Sequence, residues 1–215
     1  MKERPLETHR PAYAEEALEE ANVDANPFVQ FARWLDDAMS RDDVLEANAM
    51  ALATVGEGGR PSARMVLLRG LDERGFVFFT NYESRKAVEL AASPAAALLF
   101  YWEPLHRQVR IEGDIAPIAP EESDAYFAQR PRGHRLGAWA SPQSRPVKNR
   151  AELEAAERAC EAKFKGRDVD RPPYWGGYRL TPKRFEFWQG RLNRLHDRIA
   201  YQRVLDAWRM SRLAP

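Results

Sequence analysis

The sequence predicts a mainly β protein, an antiparallel barrel with flanking helices. Three observations predict it: short apolar runs broken by turn residues between Ala49 and Ile118, strand patterning that returns at Tyr178, and helical spacing before and between these stretches.

Residues 1–25 are polar with almost no apolar periodicity, too little to offset their ordering entropy, and are expected to form a mobile arm. A single domain is expected over 26–215. At Asn26-Pro27 the pattern changes: Asn26 suits a helix cap, Pro27 its first position, and Phe28, Phe31, Trp34, Leu35, Ala38 and Met39 recur at helical spacing. From Ala49 the period shortens. Runs at Ala49–Val55, Pro61–Arg69 and Phe76–Thr80, separated by turns at Gly56–Gly59 and Leu71–Gly75, read as an antiparallel meander. Ser84–Ala92 reads as a short helix, after which Ala95–Trp102 and Gln108–Ile118 resume as strands around a Glu103–Arg107 turn. Five strands at such spacing favour a barrel. Pro120 opens a helix through Gln129, prolines at 131, 142 and 146 punctuate the next stretch, and Arg150–Phe164 has the composition of a solvent-facing helix. Strands return at Tyr178–Thr181, Arg184–Gln189, Ile199–Val204 and Trp208–Leu213, the last two joined by a turn at Leu205-Asp206.

Bulk properties narrow the function. Lys plus Arg number 33 against 32 Asp plus Glu, so no global field attracts nucleic acid or an anionic membrane, and any anion site is local. The single cysteine, Cys160, has no disulfide partner within the chain. The N-terminus lacks an apolar signal region and no stretch approaches the roughly 20 apolar residues that span a bilayer, so the expected compartment is the cytoplasm. No Gly-x-Gly-x-x-Gly, P-loop or Gly-x-Ser-x-Gly elbow occurs, and His9, His106, His134 and His196 lack metal-ligand spacing; no metal is expected.

Five clusters join cations to amides, hydroxyls or aromatic rings. In Arg64–Arg69, alternation puts Arg64, Val66 and Leu68 on one strand face and Met65, Leu67 and Arg69 on the other; two charges snorkelling from strand ends is the bland alternative. In Thr80–Lys86 a strand runs into a helix start bearing Arg85 and Lys86, cations that oppose the macrodipole there and so suit an anion. Tyr126 and Arg130 share a helix face ahead of Pro131, Arg132 and His134, placed either for an anion or for the helix C-terminus. Ser141–Ser144 is by itself a polar turn. In the fifth, after Phe187-Trp188-Gln189-Gly190, extended geometry would send Arg194, His196 and Arg198 to one face, an arrangement of mutual repulsion that wants an anion or an electron-rich ring between them, or an exposed edge.

Taken in order, RMVLLR, FFTNYESRKA, RQVRIEG, YFAQRPR, GAWASPQS, YWGGYRL, FEFWQG and RLHDR resemble the pyridoxamine 5′-phosphate oxidase family, the FMN-binding split barrel, from about Asn26 to Pro215, with a fainter match at Arg10–Tyr13. The resemblance implies a homodimer with FMN between the subunits: Arg64, Met65, Val66, Leu67, Leu68, Phe79, Thr80, Arg85, Lys86 and Gln108 from one chain, Gln143, Ser144, Trp188 and Arg198 from the other, and Arg69 beside them. Arg85 and Lys86 would clamp the flavin phosphate. Arg69, Tyr126, Arg130 and His134 map to the substrate phosphate site, Arg194 and His196 to the substrate ring as the catalytic pair, and Arg10 and Tyr13 to an arm that closes over it. Two positions depart from the family's pattern, which has Lys where Arg69 stands and Ser where His134 stands; both replacements still donate to phosphate. The activity implied is oxidation of pyridoxine 5′-phosphate or pyridoxamine 5′-phosphate to pyridoxal 5′-phosphate, with O2 as acceptor and peroxide released. The alternatives are a phenazine-type flavin oxidase of the same fold and a non-catalytic flavin- or pyridoxal-phosphate-binding protein.

Overall fold

A computed structural model describes residues 17–215. Its helices are α1 (Pro27–Met39), α2 (Arg85–Ala92), α3 (Pro120–Gln129), α4 (Arg132–Ala140) and α5 (Arg150–Lys163). Its strands are β1 (Ala49–Val55), β2 (Pro61–Leu67), β3 (Gly70–Asp72), β4 (Gly75–Asn81), β5 (Ala95–Trp102), β6 (Arg107–Pro117), β7 (Trp175–Gln189), β8 (Asp197–Val204) and β9 (Ala207–Arg212). They hydrogen-bond in the order β2-β1-β5-β6-β7-β4-β3, with β8 on β7 and β9 on β8. The expected mainly β, antiparallel architecture with helices is therefore present. The described chain divides into two compact units, one of Asn48–Leu98 and Glu112–Lys183, the other of 17–47, Leu99–Ile111 and Arg184–Pro215.

In the second of these units the Asn26 side chain accepts the Phe28 N–H at 3.0 Å and starts α1 where expected. The helix buries Phe31 and Trp34, whose rings meet Phe100 at 4.9 Å and Phe187 at 5.3 Å. The expected arm over 1–25 differs in its described part: Leu18 is buried with its N–H on Asp197 at 3.1 Å, and the Tyr201 hydroxyl donates to the Asp24 carbonyl at 2.6 Å. Arg10 and Tyr13 lie outside the described residues.

In the other unit β1 and β2 form a hairpin from Ala49↔Leu67 to Val55↔Pro61. The expected Leu71–Gly75 turn is shorter, because Gly70–Asp72 pairs with β4 as a strand of its own, and Gly75 closes the turn at φ 137°. Only glycine fits there: a Cβ would stand 1.9 Å from the Leu180 carbonyl oxygen. Two expected strands at Tyr178–Thr181 and Arg184–Gln189 are one, β7. Pro182 does not break it, because it falls where the ladder changes partner, β4 ending at Leu180 and β8 beginning at Arg184. The stretch after Pro131, which the sequence shows only as punctuated by prolines, is α4. Its two glycines hide it from propensity, and tertiary contacts hold it: Leu136 is buried, Arg132 donates to the Phe164 carbonyl at 2.7 Å, and Arg135 pairs with Asp168 at 2.7 Å.

Candidate functional site

A cavity of about 550 Å³ opens in the unit that holds β1 to β4. Met65, Val66 and Leu67 at the end of β2, and Arg69 just beyond, form one part of its lining. Phe79 and Thr80 of β4, Lys86 of α2 and Gln143 form another, Gln143 meeting Thr80 and Lys86 within one chain where the resemblance implied the other chain. Tyr126 of α3, Arg130 that caps it, and His134 of α4 close it. Clusters far apart in sequence thus meet at one cavity.

Its electrostatics are lopsided. Among the described residues Arg69, Lys86, Arg130 and a histidine line it, with no carboxylate. Among the described residues Lys86 donates to neutral oxygens, Gln143 Oε1 at 2.9 Å and the Thr80 and Ser84 hydroxyls at 3.2 Å each. Burial pushes its ammonium below the usual lysine range, and the Arg64 charge adds to this. The Arg130 guanidinium is also lowered, by burial first and by Arg69 as well, and its Nη1 is buried without a hydrogen-bond partner. A buried donor of this kind is costly unless something accepts from it.

The wall opposite in character is aromatic. Phe79 and Tyr126 stack at 3.8 Å and 9°, and Trp175 at the start of β7 lies nearly parallel to both. Gly177 makes room, since a Cβ there would stand 2.9 Å from the Phe79 ring.

The remaining predicted positions of this unit stand apart from that lining. Leu68 is buried and donates its N–H to Asn48. Ser144 is exposed, at φ 71°. Arg64 does not snorkel from its strand; it is bound inward, to Thr54, Ser62 and the Glu89 carboxylate at 3.0 Å. Arg85 turns to the other oxygen of Glu89, 2.8 Å away, and borders a separate hollow with Gly56, Gly58 and Arg60. Burial alone would raise the Glu89 carboxyl, but donors from Ser62, Thr54, Arg85 and Arg64 outweigh it and hold it at about 2.

In the other unit the strand geometry expected for 194–198 is not there. Leu192–Arg194 is a 3-10 turn, Asn193 and Arg194 have φ of 55° and 61°, and β8 begins only at Asp197, so Arg194, His196 and Arg198 do not alternate along one strand. The His196 ring sits 4.6 Å from that of Trp188, and its Nδ1 accepts the Arg191 N–H at 3.1 Å, which leaves Nε2 to carry the proton of the neutral ring. Burial and then the Arg194 charge push His196 below its ordinary range, against Asp197. Arg198 is held by the buried Glu186 at 2.8 Å, a carboxylate that also takes Arg110 at 2.7 Å. Gln108 is half-buried in β6.

A family model described as pyridoxamine 5′-phosphate oxidase matches residues 37–163, more than half of the chain. The chain belongs to the pyridoxamine 5′-phosphate oxidase family. A second model, the pyridoxine 5′-phosphate oxidase C-terminal dimerisation region, matches residues 175–215. A pyridoxine/pyridoxamine 5′-phosphate oxidase of Burkholderia thailandensis is 58% identical over 209 residues, 96% of this chain and 97% of that one. Another so named, from Rubrobacter xylanophilus, is 56% identical over 99% of this chain and 97% of its own. Among solved structures, PhzG from Burkholderia lata in complex with tetrahydrophenazine-1-carboxylic acid is similar, with TM-score 0.86 at 33% identity, covering 94% of this chain and 99% of that one. An FMN-binding protein related to pyridoxamine 5′-phosphate oxidase, from Nostoc punctiforme, has TM-score 0.71 at 21% identity over 90% and 100% of the two chains, a likeness of fold. The split-barrel fold class expected from the sequence is that of these neighbours.

Three residues of this oxidase-family chain were not among those the sequence singled out. Trp175 is one of a crowd of aromatic residues, and only the fold puts it in the cavity wall. Glu89 stands four residues after Arg85 on one helix, a spacing that signals the pair but not the buried network. Glu186, between Phe185 and Phe187, breaks the apolar run of a buried strand, a visible signal for a buried polar role.

Proposed function

We propose that this member of the family oxidises pyridoxine 5′-phosphate and pyridoxamine 5′-phosphate to pyridoxal 5′-phosphate in the cytoplasm, with FMN as cofactor and O2 as acceptor, releasing peroxide, and ammonia from the amine. The observation that carries the reading is a cavity lined by Arg69, Lys86, Arg130 and His134 with no carboxylate among them and a stacked aromatic wall. Such a lining fits flat rings that carry phosphate, because the cations gain a dianion and the rings a stacking surface. When bound, FMN would supply the electron acceptor for the exocyclic carbon of the substrate and pass the electrons to O2.

Within that reading the residues divide. Lys86, presented by Thr80, Ser84 and Gln143, takes the flavin phosphate; Arg85 joins it by exchanging Glu89 for phosphate. Arg64, Met65, Val66, Leu67, Leu68, Phe79 and Gln108 shape the flavin side, with Ser144, Trp188 and Arg198 completing it from the other chain of a homodimer, which the match to a dimerisation region supports. Arg69, Tyr126, Arg130 and His134 hold the substrate phosphate and spend its binding energy on orientation. Arg194 and His196 face the pyridine ring and steady charge there, His196 through its Nε2 proton. Arg10 and Tyr13 close over the ring and exclude water.

A second reading, a phenazine-type oxidase, rests on the likeness to PhzG. A tricyclic carboxylic acid has no phosphate to satisfy Arg69 and Arg130, which favours the first. Peroxide formation on adding pyridoxine 5′-phosphate to the FMN-loaded protein decides between them, and a binding protein without activity forms none.

A further inference from the structure

Trp175 belongs to the aromatic wall, and it also stands where the cavity's charge and its rings meet. It opens β7, opposite Asn81 of β4, with only 7% of its surface exposed. The two glycines after it draw the backbone close to the ring layer: a Cβ on Gly176 would meet the Tyr82 hydroxyl at 2.2 Å, one on Gly177 the Phe79 ring at 2.9 Å. The indole thereby lies parallel to Phe79, within 10°, and the Arg130 guanidinium rests over it at 4.6 Å from the centroid. Phe127 adds a second ring at 5.6 Å. No anion partners this guanidinium among the described residues, and its buried Nη1 has no acceptor, so the stack, rather than an ion pair, fixes its place.

We infer that Trp175 is a positioning residue: it pins Arg130 with its donors turned to the 5′-phosphate, and so sets the preference for phosphorylated over unphosphorylated pyridoxine. A guanidinium stacked on an indole keeps its in-plane N–H donors available while losing side-chain freedom before the ligand arrives, so less is lost on binding. The inference rests on the phosphate reading of the cavity.

The test uses FMN-loaded enzyme and the variants Trp175→Leu, Trp175→Phe, Arg130→Met and the Trp175→Leu/Arg130→Met double. Trp175→Leu is expected to raise KM for pyridoxine 5′-phosphate about three- to thirtyfold with kcat within about twofold. With FMN held saturating, the Ki of unphosphorylated pyridoxine as a competitor should change much less than the KM of the phosphorylated substrate. Trp175→Phe should restore part of the loss, and carries the test by itself if Trp175→Leu does not fold. In the Arg130→Met background the tryptophan change should add nothing. A silent Trp175, losses shared equally by phosphorylated and unphosphorylated ligands, or effects that multiply in the double variant overturn the inference while an Arg130→Met effect leaves the phosphate reading standing. If Arg130→Met itself leaves the phosphorylated KM unchanged, both fall.

Discussion

Glu89 illustrates how single residues divide between holding the site and serving it. Its carboxylate binds Arg64 and Arg85 on opposite oxygens and is itself buried. Glu89→Ala leaves Arg64 without its charge partner and should cost about 3 kcal/mol in urea unfolding. Because the folded carboxyl is held at about 2, below its unfolded value, this contribution is present above the unfolded value and fades as pH falls toward 2. The gap between wild type and Glu89→Gln should therefore narrow in acid, and a gap that widens contradicts the assignment. Lys86 is the opposite case, a half-buried cation whose partners among the described residues are neutral. Lys86→Met should weaken FMN about ten- to a hundredfold, read by fluorescence quenching, while the protein without flavin unfolds no more easily. At His196, removing a neighbouring positive charge in Arg194→Gln should move its titration upward by NMR; an unmoved titration means burial alone sets it.

At the scale of elements, legibility followed local signals. α1 was readable from Asn26, Pro27 and a helical apolar stripe, and Asn26→Ala should cost about 1 kcal/mol in thermal unfolding. α4 was not readable, because Arg132–Ala140 contains two glycines and follows Pro131; its stability comes from partners around Phe164 and Asp168 far along the chain. Pro182 suggested a break that β7 avoids by changing partners there. The run at Arg194–Arg198 misled for a related reason: alternation presumes extension, and left-handed Asn193 and Arg194 take that away. Gly177 marks a close approach of strand to ring. Gly177→Ala, with its Cβ 2.5 Å from Ile118 Cδ1 and 2.9 Å from Phe79, should cost about 1–3 kcal/mol and disturb the stacked wall; unchanged stability and flavin affinity would show that the wall yields freely.

For the molecule as a whole, the near-zero net charge pointed away from nucleic acid and toward any anion site being local, and tertiary structure gathers basic groups at one cavity from α2, α4, the end of α3 and the residues just past β2. The grouping was legible only through the family's motifs, since nothing local in the sequence ties Arg69 to Arg130. The match of residues 175–215 to a dimerisation region supports a homodimer, and sedimentation should find two chains per particle at micromolar concentration, with dilution to monomer releasing FMN. The most direct test of the central claim is simultaneous measurement of pyridoxal 5′-phosphate and peroxide after adding pyridoxine 5′-phosphate to the FMN-loaded protein in air. The account predicts the two products in equal amounts; a protein that binds FMN and the phosphorylated substrate yet forms neither contradicts it.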